Sequence, residues 1–261
     1  MMEHHFNLAL GPYILAVGCN DPDLTNQFTQ FYAGFIVSQA EDFSIAIQVQ
    51  TGKDFPTRNV RFSDNQILLD SPGYQGKINL EEFTGELTLT SRNPFQEVDY
   101  FLRVAAAGFV YQKGGLMVHA AGIERNQQAH LFMGKSGIGK TTVARNSPPG
   151  SVMNDDLVFV VHEDPKWIVC SSPFYNPSQM PPQSHQAPLK GIYFLFQDKQ
   201  VYLEEINSPT AVASFLANIP VLTTNPQMLS ELFSRCNQIV QIVHPYRLHF
   251  LPDDSFWKII P

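Results

Sequence analysis

Apolar residues recur at helical spacing over Leu24, Phe28, Phe31, Tyr32 and Phe35, directly after Asp21 and Pro22, which supply an N-cap and a first helical position. This pattern predicts an amphipathic helix. From Phe43 the period changes: FSIAIQV places Phe43, Ile45, Ile47 and Val49 on one side, the alternation of a half-buried strand. Further strands are predicted over 59–62, 66–70, 77–80 and 85–90, separated by turn formers such as Ser71, Pro72 and Gly73. Asn93 and Pro94 open a second helix, continued by Val98, Phe101, Leu102 and Ala105 and stopped by Lys113, Gly114 and Gly115.

In the second half LMVHAAGI from Leu116 and AHLFM from Ala129 predict two strands joined by a polar turn at 124–128. A glycine-rich loop follows at once. The runs VMNDDLVFVV (152–161) and KGIYFLF (190–196) predict buried strands, with the proline-rich stretch 173–188 between them as a loop. Ser208-Pro209 and Asn225-Pro226 each open a helix; the second carries Met228, Leu229, Leu232, Phe233, Cys236, Ile239 and Val240 on one face, a stripe read as core. With no internal repeat and no long linker, two packed lobes are expected: a mixed, β-rich N-terminal lobe over 1–112 and a second lobe over 113–261.

Composition narrows the classes. The chain has 261 residues, 44% hydrophobic and 16% charged, enough to bury a sizeable core. Lys and Arg number 17 against 24 Asp and Glu, for a net charge of −7, which speaks against a nucleic-acid partner. Cys19, Cys170 and Cys236 are odd in number and lack metal-ligand spacing, which fits a reducing cytoplasm. The N-terminal residues lack a basic leader, and the apolar run 13–17 is far short of the roughly 20 residues that span a bilayer, so no membrane association is expected.

The chemistry is concentrated at 134–141, where GKSGIGKT matches G-x-x-x-x-G-K-[ST]. Glycines at such spacing let backbone N–H groups turn inward around phosphate oxygens. The loop Gly134, Lys135, Ser136, Gly137, Ile138, Gly139, Lys140, Thr141 and Thr142 is therefore the candidate nucleotide site. Lys140 would reach the β- and γ-phosphates and Thr141 would coordinate Mg²⁺, while Lys135, at a variable position, reads equally well as a solvated side chain. TTVAR after Lys140 predicts a helix whose dipole would face the anion.

Asp155 and Asp156 follow closely on the loop. Neighbours in an extended strand point to opposite faces, so both can serve one site only at a strand end or bulge. Converging on the phosphates, one would hold Mg²⁺ and the other accept the proton of an attacking hydroxyl. His119, inside an apolar strand, reads on composition as a core histidine. None of His4, His5, His130, His162, His185, His244 and His249 shows ligand spacing.

VHAAGI from Val118, GKSGIGKTT from Gly134 and NDDLVFV from Asn154 together resemble the catalytic half of the HPr kinase/phosphorylase family, whose P-loop architecture is shared with phosphoenolpyruvate carboxykinases. PLKGIYFL from Pro188 and YRLHFLPDDSFW from Tyr246 are similar to uncharacterised HPr kinase-like proteins, among them kinases of lasso-peptide and other peptide-modification pathways. The likeness covers about 95–261 and implies an α/β P-loop kinase core of the HPr kinase/PEP carboxykinase type. It implies Asp155 as general base, Asp156 as a Mg²⁺ ligand and His119 near the transferred phosphate. No Arg-, Gly- and Ile-rich segment like the HPr kinase signature follows Asp156, so HPr itself is not expected as a partner. The expected activity is an ATP- and Mg²⁺-dependent kinase acting on a hydroxyl, in a peptide serine or a small alcohol, with self-association into a homo-oligomer left open. The alternatives are a nucleotide-binding regulatory module without phosphotransfer and a reverse, phosphate-driven dephosphorylation.

Overall fold

The computed structural model describes residues 4–52, 55, 59–63, 65–90, 94–177, 179, 181–220 and 225–261. The chain divides into two compact units, one formed mainly by Met1–Gly114 and the other by Gly115–Leu222 and Pro226–Pro261.

The first unit is one eight-stranded sheet with two helices. Its strands are β1 (His4–Leu10), β2 (Tyr13–Cys19), β3 (Ile36–Val37), β4 (Phe43–Val49), β5 (Asn59–Ser63), β6 (Gln66–Ser71), β7 (Tyr74–Asn79) and β8 (Thr84–Leu89), in the order β3-β1-β2-β4-β8-β7-β6-β5. Helix α1 (Pro22–Phe31) starts where its sequence says, with the Asp21 carboxylate accepting from the Leu24 N–H. Helix α2 (Pro94–Gln112) buries Val98, Phe101, Leu102 and Ala105, as its spacing predicts; its expected cap, Asn93, lies outside the described residues. Phe109 of α2 stacks on Phe43 at 4.7 Å, and a Cβ at Gly76 would lie 2.5 Å from the Phe101 ring, so this glycine lets helix and sheet approach. The sequence reading places no strand over residues 4–19, where the structure forms the hairpin β1–β2 with Leu8, Leu10, Leu15 and Val17 buried.

The second unit contains β9 (Leu116–Arg125), β10 (Gln128–Met133), α3 (Lys140–Arg145), β11 (Val152–Asn154), β12 (Leu157–Glu163), β13 (Lys166–Ser171), β14 (Gln186–Gln197) and β15 (Tyr202–Glu205). It ends with α4 (Ser208–Leu216), α5 (Pro226–Ile242) and β16 (Pro245–Phe250). Asn126 and Gln127 both adopt positive φ and close the β9–β10 hairpin at the predicted turn. The long β14 pairs with β13 through its first residues and with β10 and β16 through the rest. The pairings β9–β12, β12–β13, β13–β14, β14–β10 and β10–β9 thus form a closed ring. Phe132, Tyr193, Leu248, Phe250 and Phe256 pack into one buried cluster with Val143 of α3.

The α/β P-loop core of the HPr kinase/PEP carboxykinase type is not what the chain adopts. Among the described residues the fold is β-rich, with 41% strand against 28% helix, two large eight-stranded sheets and five helices. Only β2–β4, β4–β8, β10–β14 and β14–β16 run parallel among the described strands. Between the parallel neighbours β10 and β14, where an α/β core would place a full crossover helix, the chain makes the six-residue α3 and then three strands. Pro148 and Pro149 follow α3 closely and prevent its extension. Two smaller expectations also fail. Pro188 lies inside β14 rather than in a loop, and on α5 Leu229 and Phe233 are exposed while Leu232, Cys236, Ile239 and Val240 are buried. Cys19, Cys170 and Cys236 are buried free thiols. No helix among the described residues is long and apolar enough to cross a membrane.

Candidate functional site

The loop 134–139 leaves the end of β10 and enters α3. Three of its residues take positive φ, Gly134 (147°), Gly137 (78°) and Gly139 (120°), a conformation that side chains resist. Gly139 is required twice over, since a Cβ there would sit 2.6 Å from the Phe250 ring on β16. The loop is pinned at both shoulders. Asn218 Oδ1 accepts from the Gly134 N–H at 3.1 Å, and Gln197 Nε2 donates to the Ile138 carbonyl at 3.0 Å.

The curl leaves donors without acceptors. No side chain caps α3, and the N–H groups of Ser136, Gly137, Gly139, Lys140 and Thr141 donate to no other described group. Lys140 is buried, 8% exposed, with its ammonium donating to the Gly134 carbonyl at 2.8 Å across the mouth of the loop. Burial lowers its pKa, and the charges of Asp156 and Asp155 oppose that shift. Lys135, Ser136 and Gly137 are exposed, and the Lys135 carbonyl accepts from the Ile138 N–H. Thr142 accepts at its carbonyl from Asn146 and stands in the first turn of α3. Because α3 has only six residues, its dipole is small; the positive charge at the loop comes from its amides and Lys140 instead.

Asp155 and Asp156 occupy a bend between β11 and β12, so the run 152–161 is two strands rather than the one predicted. Asn154 builds that bend. Its Oδ1 accepts from the N–H groups of Asp156 (2.8 Å) and Leu157 (3.1 Å), while its Nδ2 donates to the carbonyls of Ser172 (3.0 Å) and Phe174 (2.9 Å). Out of the strand pleat, both aspartates act on Lys140. They differ in their neighbours. The Asp155 carboxyl is held above the usual range, chiefly by burial and then by the Asp156 charge, with the adjoining Thr141 side chain working the other way. Asp156 Oδ1 lies 3.3 Å from His119 Nε2. The His119 N–H donates to the Asn218 carbonyl, so Asn218 ties the histidine strand and the loop together.

Thr141 and Asp155 open onto a cleft of about 730 Å³, bordered by the segments that carry Pro148, Pro149, Pro181 and Pro182. Glu124 and His185, joined by a short hydrogen bond, line the same cleft. Sequence reasoning misses Asn218, Arg145, Glu124 and His185 as parts of this region. Asn154 carried a readable signal, an Asn at the start of a turn; Asn218, far along the chain at the end of α4, carried none. No group of three or more His, Cys, Asp or Glu able to cage a metal occurs among the described residues. Comparison with known proteins finds no family model and no curated protein that matches this chain.

Proposed function

We propose that this chain binds ATP at 134–142 and transfers the γ-phosphate to a hydroxyl acceptor. The observation that carries the reading is the convergence of one buried ammonium and two carboxylates on a loop in which the N–H groups of Ser136, Gly137, Gly139, Lys140 and Thr141 have no acceptor among the described residues. It stands on that local arrangement, not on the overall fold. The loop amides and Lys140 would hold the phosphate oxygens, and Asp155, facing the cleft, would take the proton of the incoming hydroxyl. His119, paired with Asp156, would keep that carboxylate oriented.

The oxygen donors here, the Thr141 hydroxyl and Asp156, suit Mg²⁺, which keeps several waters and substrate oxygens and needs no protein cage. Bound there, the ion would neutralise charge developing on the phosphates.

The test is to supply γ-labelled ATP and Mg²⁺ with a cell extract and follow the label. Transfer to an organic acceptor that disappears in Lys140→Ala supports the reading. ATP bound but unchanged would mark a regulatory module, label found only in inorganic phosphate would mark a hydrolase, and ATP affinity unaltered in Lys140→Ala would overturn the site. Added inorganic phosphate tests the reverse, dephosphorylating direction.

A further inference from the structure

We infer that the cleft beside Thr141 and Asp155 is the acceptor site, and that it takes a small uncharged alcohol with a largely apolar body and a second hydroxyl held by Glu124. This rests on the phosphotransfer reading above. The volume, about 730 Å³, falls in the range of pockets that enclose a small organic molecule. The lining is predominantly apolar, with Ala144, Val152 and Met153 beside the four prolines.

The backbone of the cleft argues against a peptide. An extended peptide added to an edge needs alternating donors and acceptors, and Pro148, Pro149, Pro181 and Pro182 have no N–H to give. Several of the other backbone groups are already engaged within the protein. The Ser151 N–H is bonded to the Pro148 carbonyl, and the Ser151 carbonyl accepts from Glu124. The His185 N–H donates to Ser171 Oγ, and the Gln183 and His185 carbonyls accept from Ser171. Recognition therefore falls to apolar contact and side chains.

Those side chains carry both signs. Asp155 and Glu124 repel an anion; Arg145 opposes a cation. A neutral body avoids both penalties. Glu124 spends Oε2 on His185 Nε2, and its Oε1 has no partner among the described residues, leaving an acceptor for one O–H. In the transfer, the acceptor oxygen bonds to the γ-phosphorus of ATP as the bond from that phosphorus to the β–γ bridging oxygen breaks. The hydroxyl proton passes to the Asp155 carboxylate, and a phosphate monoester and ADP result.

The experiment supplies γ-labelled ATP, Mg²⁺ and one of four probes: 1,4-benzenedimethanol, benzyl alcohol, 4-(hydroxymethyl)benzoate or 4-(hydroxymethyl)benzylamine. The expected result is labelled ester from the neutral diol, with kcat/KM at least about tenfold lower for the anion and the cation. Ser184→Trp, which fills the cleft, should abolish transfer with ATP affinity unchanged. Glu124→Ala should raise KM for the diol about tenfold and leave benzyl alcohol alone. If Ser184→Trp no longer binds ATP, the Glu124→Ala contrast decides. ATP binding that depends on Lys140, together with no label on the diol, equal use of the anion, or indifference to both cleft variants, overturns the acceptor assignment and leaves the phosphate grip standing. Loss of Lys140 dependence in the binding arm overturns the phosphotransfer reading itself.

Discussion

The two units use sheets of equal strand number for different ends. In the first, the buried polar side chains among the described residues are Thr25 and Ser71; in the second they are His130, Lys140, Asn154, Ser171, Ser172, Asn218 and His249. Polar burial is costly unless each group is bonded, and in the second unit each of these side chains has a hydrogen-bond partner. Most of that polarity surrounds one loop and one bend. On the proposed function, the contrast separates a sheet built for packing from a sheet that supports chemistry, and it can be tested from both sides.

The largest effect is expected at Asp155. Asp155→Asn should slow phosphotransfer by about 10²–10⁴, with ATP affinity nearly unchanged, in single-turnover assays. Its raised pKa also sets a sign: the carboxylate is the working form, so activity should fall with acid from a higher pH than an ordinary aspartate would give. The unfolded chain holds this carboxylate ionised more readily, so Asp155→Asn should also raise the Tm at neutral pH. Next comes the bend. Asn154→Asp would turn a second carboxylate oxygen toward the Ser172 and Phe174 carbonyls and should destabilise the chain by about 3 kcal/mol in urea titrations.

A matched pair of glycines sharpens the comparison. Gly76→Ala and Gly139→Ala each force a Cβ within 2.6 Å of an aromatic ring, and overpacking should cost each about 1–3 kcal/mol. Only Gly139→Ala should weaken ATP binding. Equal loss of binding in both would dissolve the division of labour.

A pH effect follows. Buried His130 is kept neutral, its pKa lowered to about 4 by burial and then by the Arg125 and Lys190 charges. The unfolded chain protonates near its ordinary value, so this residue costs nothing above about pH 6.5 and destabilises the fold as pH falls toward 4, by about 2 kcal/mol at pH 5. His130→Gln should flatten the dependence of stability on pH over that window. The smallest effect belongs to the first unit's surface. Arg61→Ala removes an exposed ion pair to Asp70 and should shift stability by no more than about 0.5 kcal/mol.

Local patterns were legible where the chain decides locally. The Asp21 cap, the alternation of β4, the turn at 126–127 and the glycine spacing of the loop each depend on a few neighbouring residues, and each reads directly from them. Architecture was not. The loop motif and the strand before it suggested alternating strands and helices, but the short stretch after α3 folds as a meander, and that outcome depends on pairings with β9 and β14 that no local pattern announces. The site followed the same rule. In the candidate site the loop and aspartates lie close in sequence, whereas Asn218, Glu124 and His185 are brought beside them only by the tertiary fold.

The glycine loop is spelled by consecutive residues, yet its supports are encoded far downstream: Asn218 at the end of α4, and Phe250 on β16. A ribosome releases the motif long before it releases either prop. On the proposed function, the nascent chain would carry the sequence of a phosphate-binding loop without its shape, and nucleotide capture should begin only after β16 has left the exit tunnel and docked.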